Sequence, residues 1–280
     1  MKEVRLAIIL LSLSLFLGAC SLDDWTNQAD DSEESPSEEE QVEEQEKDEN
    51  DEQQQENEQI SEDNESNNPN AYANELDEEV DEDGLTIIEE PDIKEVVVNK
   101  DRKLPEGYEP DELVEPNVRF PFEEDHPKKM MQPKAARALE NLFAAANKEG
   151  LGLYATSGYR SYETQQRIYE NNVAERGQEE ADKFSARPGT SEHQTGLAMD
   201  VTSAEMEFKL DQSFINTPEG NWLAENAHEY GFVVRYLKGT MDITGYEYEP
   251  WHLRYVGTDL STQIHESGGT LEEFFGFYPQ

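Results

Sequence analysis

Cysteine is almost absent, at one in 280 residues. A closed thiolate zinc site takes up to four of them and an internal disulfide takes two, so this chain can build neither. Basic residues are scarce too, 22 against 65 acidic ones, giving a net charge of -43. With no basic patch and no glycine-rich phosphate loop, neither nucleic acid nor a bound nucleotide is expected as a partner. Long apolar runs are missing as well. The stretch from Leu6 to Leu17 falls short of the ~20 apolar residues that cross a bilayer. No internal repeat is present. Histidine numbers five, and that scarcity makes the position of each one informative.

What is present changes along the chain. Residues 1–20 carry Lys2 and Arg5, then the apolar stretch, then Leu17-Gly18-Ala19-Cys20. A charged start before a short apolar region reads as a secretory signal. Its end resembles a bacterial lipobox, implying cleavage before Cys20, a diacylglycerol on its sulfur, and a lipid-anchored protein on the outer side of the cell membrane. From Ser21 to about Glu90 the composition is Glu, Asp, Gln, Asn and Ser, with Lys47 the only basic residue. Such a segment buries too little apolar surface to offset chain entropy, so residues 21–90 are expected to form a disordered linker. As a coil it would span on the order of 45 Å, and more under self-repulsion, enough to lift a domain off a bilayer. Residues 91–280 remain as one folded domain, long enough for a single core.

Two strings in that domain carry the chemistry. Ser191-Glu192-His193-Gln194-Thr195-Gly196-Leu197-Ala198-Met199-Asp200 reads S-x-H-x-x-G-x-A-x-D, and Glu249-Pro250-Trp251-His252 reads E-x-W-H. A zinc ion that does chemistry keeps three protein ligands and an open position. His193, Asp200 and His252 supply such a set. Glu249, a carboxylate beside the metal and not on it, can take the proton of the attacking water. The other imidazoles, His126, His228 and His265, lie in a proline-flanked loop and in helical stretches without ligand spacing, and read as structural. Upstream, Ser157-Gly158-Tyr159-Arg160-Ser161 follows an apolar run, so it should join a strand to a helix with Ser161 as N-cap. Arg160 would then point from a turn into the site, where a guanidinium suits a developing oxyanion or a substrate carboxylate. A structural ion pair is its plainer role. Tyr159 and Trp251 are as suited to the core as to a pocket wall.

These motifs together resemble the VanY-type D-alanyl-D-alanine carboxypeptidases and the related LdcB-type L,D-carboxypeptidases, zinc enzymes that trim peptidoglycan stem peptides. The resemblance runs from about Val96 to Gly276. It implies zinc on His193, Asp200 and His252, Glu249 as catalytic base, and Arg160 serving substrate and transition state. Gln165 and Ser191 match substrate-side positions of the LdcB-type relatives. The expected activity is that of a zinc-dependent D-alanyl-D-alanine carboxypeptidase, removing the C-terminal D-Ala from stem peptides by metal-activated water with Glu249 as base. The alternatives are L,D-cleavage of tetrapeptide stems and a wall-binding lipoprotein that holds zinc without catalysis. A monomer on a Gram-positive surface fits this resemblance.

The pattern of the folded part predicts an α+β fold, with a small antiparallel sheet flanked by helices and carrying the open zinc site. Helices are expected over Pro133 to Lys148, over Tyr162 to Arg176, and from Thr217-Pro218 to Gly231. Strands are expected at Leu151 to Thr156, Leu197 to Val201, Phe232 to Tyr236 and Trp251 to Tyr255.

Overall fold

A computed structural model of the chain describes residues 78–278, apart from the side chains of residues 183 and 184. The signal segment, Cys20 and the linker up to residue 77 lie outside the described residues. Helix α1, Pro133–Lys148, forms where expected: proline opens it, and Leu139, Leu142, Phe143 and Ala146 recur on one buried face. Helix α2, Tyr162–Arg176, starts at Ser161, whose side chain accepts from the Thr164 amide, and stops at Gly177. Gln165 is its one buried residue, so α2 contributes position more than core. Helix α3, Gln178–Phe184, follows directly. Helix α4, Pro218–Asn226, is capped by Thr217. Its continuation to Gly231 tightens into a 3₁₀ turn over Ala227–Tyr230, a common way to end a helix. Helix α6, Thr258–Ser267, holds His265 in the helical stretch expected for it, and two short helices that apolar spacing does not reveal flank it, α5, Met241–Thr244, and α7, Leu271–Phe275.

Strands β1, Thr86–Ile87, and β2, Arg102–Lys103, form a small parallel pair. The main sheet is antiparallel, in the order β3-β4-β6-β5, with β3 at Leu153–Ser157, β4 at Ala198–Ser203, β5 at Phe232–Tyr236 and β6 at Glu249–Tyr255. Strand β4 is buried at every position, as a strand paired on both sides and covered on both faces must be. One core joins Leu139, Leu142 and Phe143 of α1 to Leu153, Met199, Phe232 and Leu253 of the sheet and Leu223 of α4. A second holds Val233 and Val256 against Ile264, Leu271 and Phe275 from α6 and α7. This is the α+β architecture expected from the sequence.

The linker boundary at residue 90 is corrected. Residues 78–90 belong to the folded part: Ile88 is 3% exposed within the main core, β1 pairs with β2, and Glu78 and Asp81 form ion pairs with Arg102 and Lys103. Acidic composition hides this, because those carboxylates have basic partners some twenty residues further on.

Candidate metal and catalytic site

The register of the main sheet builds the site. Ser157 on β3 stands opposite Asp200 on β4, and Asp200 stands opposite His252 on β6. Direct partners on antiparallel strands project to the same face, so these three side chains form a row across the sheet. Thr156 is the extra residue in β3 that breaks the β3/β4 register between Ala155 and Ser157, and its hydroxyl donates to the Asp200 carbonyl at 3.1 Å. A second irregularity brings in Glu249. Val234 faces Leu253 but Tyr236 faces Glu249, so β6 carries more residues than β5 over that stretch. In a regular strand, residues three apart lie on opposite faces; the bulge, which includes Pro250, turns Glu249 to the His252 side. Glu249 Oε2 is 3.8 Å from His252 Nδ1.

His193 comes from a 3₁₀ turn, Glu192–Thr195, that enters β4 through Gly196 in the left-handed conformation, φ 67°. A Cβ at Gly196 would lie 2.8 Å from the Leu113 side chain, so both backbone and space ask for glycine. The ring of His193 is pinned from behind. Its Nδ1 is 2.9 Å from the Gly158 carbonyl, and since a carbonyl only accepts, Nδ1 carries the hydrogen and Nε2 is free. That Nε2 lies 3.5 Å from Asp200 Oδ2. Gly158 earns its place sterically: a Cβ there would sit 2.5 Å from the Met130 carbonyl.

His193, Asp200 and His252 are all buried and offer one ligand atom each within 4.8 Å of one another. Asp200 Oδ1 is buried without a hydrogen-bond partner, although His252 Nδ1 stands 3.1 Å away. Three buried ligand atoms converging on one point suit a cation that displaces the proton between them, and two imidazoles with one carboxylate are zinc ligands. The trio therefore fits the metal expected of it.

Electrostatics separate the roles. Burial pushes His193 down to about 3, against the pull of Asp200, so it is neutral and ready to ligate. His252 differs: burial opposes its charge, but the adjoining carboxylates of Asp200 and Glu192 outweigh that and raise it to about 9. Metal binding must displace that proton. Glu249 is pushed up to about 7, chiefly by burial, with His252 pulling it back. A carboxyl near neutrality is poised for proton transfer, and a dication alongside would lower it.

Arg160 reaches the same region. Its backbone N–H donates to the His193 carbonyl at 3.1 Å, and its guanidinium donates to Gln165 Oε1 at 2.8 Å and Ser157 Oγ at 3.3 Å. Gln165, 1% exposed, uses its amide nitrogen on the Ala186 carbonyl at 2.6 Å. It thus aims Arg160, a task that sequence position alone does not disclose. Ser191 is buried, precedes the 3₁₀ turn and makes no side-chain cap bond. Tyr159 is buried and Trp251 packs against the main core. His126 caps a 3₁₀ turn through its ring, while His228 and His265 stack on each other, centroids 3.8 Å apart, beside an apolar cavity of about 270 Å³ that the metal trio does not line. Glu192 has no ligand spacing and no periodicity to mark it, yet it lies 3.2 Å from His252 Nε2.

The VanY family model, described as D-alanyl-D-alanine carboxypeptidase, matches residues 128–258. YodJ of Bacillus subtilis is 49% identical over 193 residues, covering 69% of this chain and 71% of that protein. The chain belongs to the VanY family. Among solved structures, the LdcB LD-carboxypeptidase aligns with TM-score 0.69 and 47% identity, covering 72% of this chain and 95% of that one. A mutant of the D,D-pentapeptidase VanY from the VanB-type resistance cassette, in complex with Zn(II), aligns with TM-score 0.54 and 33% identity, covering 65% and 98%. This VanY-family protein is a hydrolase, a zinc carboxypeptidase, and the reading as a binder without catalysis falls away.

Proposed function

We propose that the enzyme removes the C-terminal D-alanine from peptidoglycan stem peptides. The observation that carries this reading is the convergence of His193, Asp200 and His252, within 4.8 Å of one another, with Glu249 beside them. His193, Asp200 and His252 would hold the zinc, which would supply Lewis acidity and lower the pKa of the attacking water. Glu249 takes the water's proton at its carboxylate and returns it to the leaving amine. Arg160, held by Gln165 and Ser157, pairs with the developing oxyanion or the substrate's terminal carboxylate, its planar donors matching either. Ser191 lies on the substrate side.

Cleavage of the tetrapeptide, at the bond between its L-configured third residue and D-Ala, is supported by the higher similarity to the LdcB LD-carboxypeptidase, 47% identity against 33% for the D,D-pentapeptidase VanY. Cleavage of the pentapeptide at D-Ala-D-Ala is supported by the description of the matched family. Mass spectrometry of defined muropeptides with and without a chelator separates them. Loss of one alanine from the tetrapeptide, stopped by chelation, is expected. Loss from the pentapeptide alone makes the enzyme a D,D-carboxypeptidase, and no loss from either refutes the reading.

We also propose that Cys20 carries a lipid and that the acidic segment after it tethers the domain between membrane and wall, on the sequence pattern of residues 1–77. Cys20→Ser is expected to move the protein from the membrane fraction to the medium or to leave it unprocessed. Normal processing and membrane retention of that variant would refute the anchor.

A further inference from the structure

Glu192 is fully buried and splits its two oxygens between different partners. Oε2 faces His252 Nε2 at 3.2 Å. Oε1 accepts from Arg235 Nε and from Arg254 Nη1, each at 2.7 Å. Arg235 in turn grips Glu272 of α7 bidentately, at 2.7 and 2.6 Å, and Asn99 donates to Glu272 at 3.1 Å. Arg254 spends its remaining donors on the carbonyls of Val96, Lys94 and Tyr255. The side chains of Glu192, Arg235 and Arg254 are 0% exposed.

Two carboxylates and two guanidiniums balance in charge, but apolar side chains of similar volume are often as stable or more so. A role beyond stability accounts for their presence. His252 turns Nδ1 toward Asp200 Oδ1, at 3.1 Å, and Glu249, and turns Nε2 toward Glu192. Arg235 and Arg254 both donate to Glu192 Oε1, at 2.7 Å each, so two buried guanidiniums grip this group as a carboxylate and leave Oε2 to the imidazole. An ionised carboxylate can only accept, so the hydrogen sits on Nε2. His193 has the opposite arrangement, with the Gly158 carbonyl taking its Nδ1 hydrogen. Metal-binding histidines commonly give their second N–H to such an acceptor, which fixes the tautomer and raises ligand basicity.

We propose that Glu192 is a positioning residue for the reaction: it holds His252 as the Nε2–H tautomer and presents Nδ1 to the metal, and the Arg235–Glu272 clamp from α7 fixes it in place. The support for the metal thus runs from the 3₁₀ turn of the first motif to the C-terminal helix. This inference rests on His252 being a metal ligand.

Long-range proton–nitrogen spectra of zinc-loaded protein labelled at the imidazole nitrogens test it in the wild type. His252 is expected to show a protonated Nε2 and a metal-bound Nδ1, and His193 the reverse. Zinc on His252 Nε2 would overturn this inference while leaving the ligand assignment intact. Metal on neither nitrogen would refute the ligand assignment beneath it. In the second arm, Glu192→Gln is expected to weaken zinc binding about 10–100-fold in chelator competition and to alter the absorption of the cobalt-substituted protein. Glu272→Gln removes a charge from the same cluster without touching His252, and its loss of affinity is expected to be much the smaller. Equal losses for the two would mean that Glu192 only holds the fold.

Discussion

Glu249→Ala is expected to lower turnover by about 10²–10⁴-fold, the usual contribution of a positioned general base, while the protein keeps its zinc. Glu249 stands at the start of β6, 3.8 Å from His252 Nδ1, with its side chain 25% exposed against 7% for Asp200. It is close enough to share the water and open enough to meet substrate, and the buried trio is complete without it. Metal content and turnover, measured on the same preparation, decide between roles. A variant that loses both has lost a ligand. In the wild-type enzyme the rate should fall as the pH drops through the Glu249 titration, because only the carboxylate accepts a proton. Burial holds that group at about 7 in the metal-free protein, and bound zinc moves the limb to lower pH. The residual rate of the alanine variant should lack this limb.

Arg254→Ala is expected to destabilise the domain by about 3–5 kcal/mol, the cost of breaking a buried ion pair from one side. Typical domains have only about 5–15 kcal/mol in all. The substitution leaves Glu192 with one guanidinium in place of two, and strips a donor from the buried carbonyl of Val96 and the part-buried one of Lys94. Urea unfolding read by tryptophan fluorescence, with metal saturating in both proteins, measures the loss. A change below about 1 kcal/mol, the level of an exposed pair, would mean that water or a neighbouring side chain replaces the guanidinium.

The two long helices were open to sequence reasoning because their ends are punctuated. Pro133 opens α1, Ser161 caps α2 and Gly177 closes it. Helices α5 and α7, with four and five residues, are shorter than the window over which periodicity can register. The start of β6 is hidden for another reason: Glu249 and Pro250 break the apolar pattern, and a bulge that re-aims Glu249 is a property of pairing, not of the strand itself. The metal trio was legible because its residue types are rare here and zinc restricts them. Glu192 was not. Its partners Arg235, Arg254 and Glu272 are distant in sequence, and a glutamate inside a motif looks like any solvated one until the fold removes the water.

The pairing of Asp200 with His252 across β4 and β6 makes zinc occupancy a record of how the chain folded. Ligands borne by strands so distant in sequence come together only after a long loop has closed, a slow kind of contact to form. A slip of one residue between these strands would turn one ligand to the opposite face. Zinc then finds no trio, and the misregistered chain forgoes the stabilisation that metal confers on the native state alone. The ion that serves the reaction also selects, among compact states, the one with the correct strand alignment.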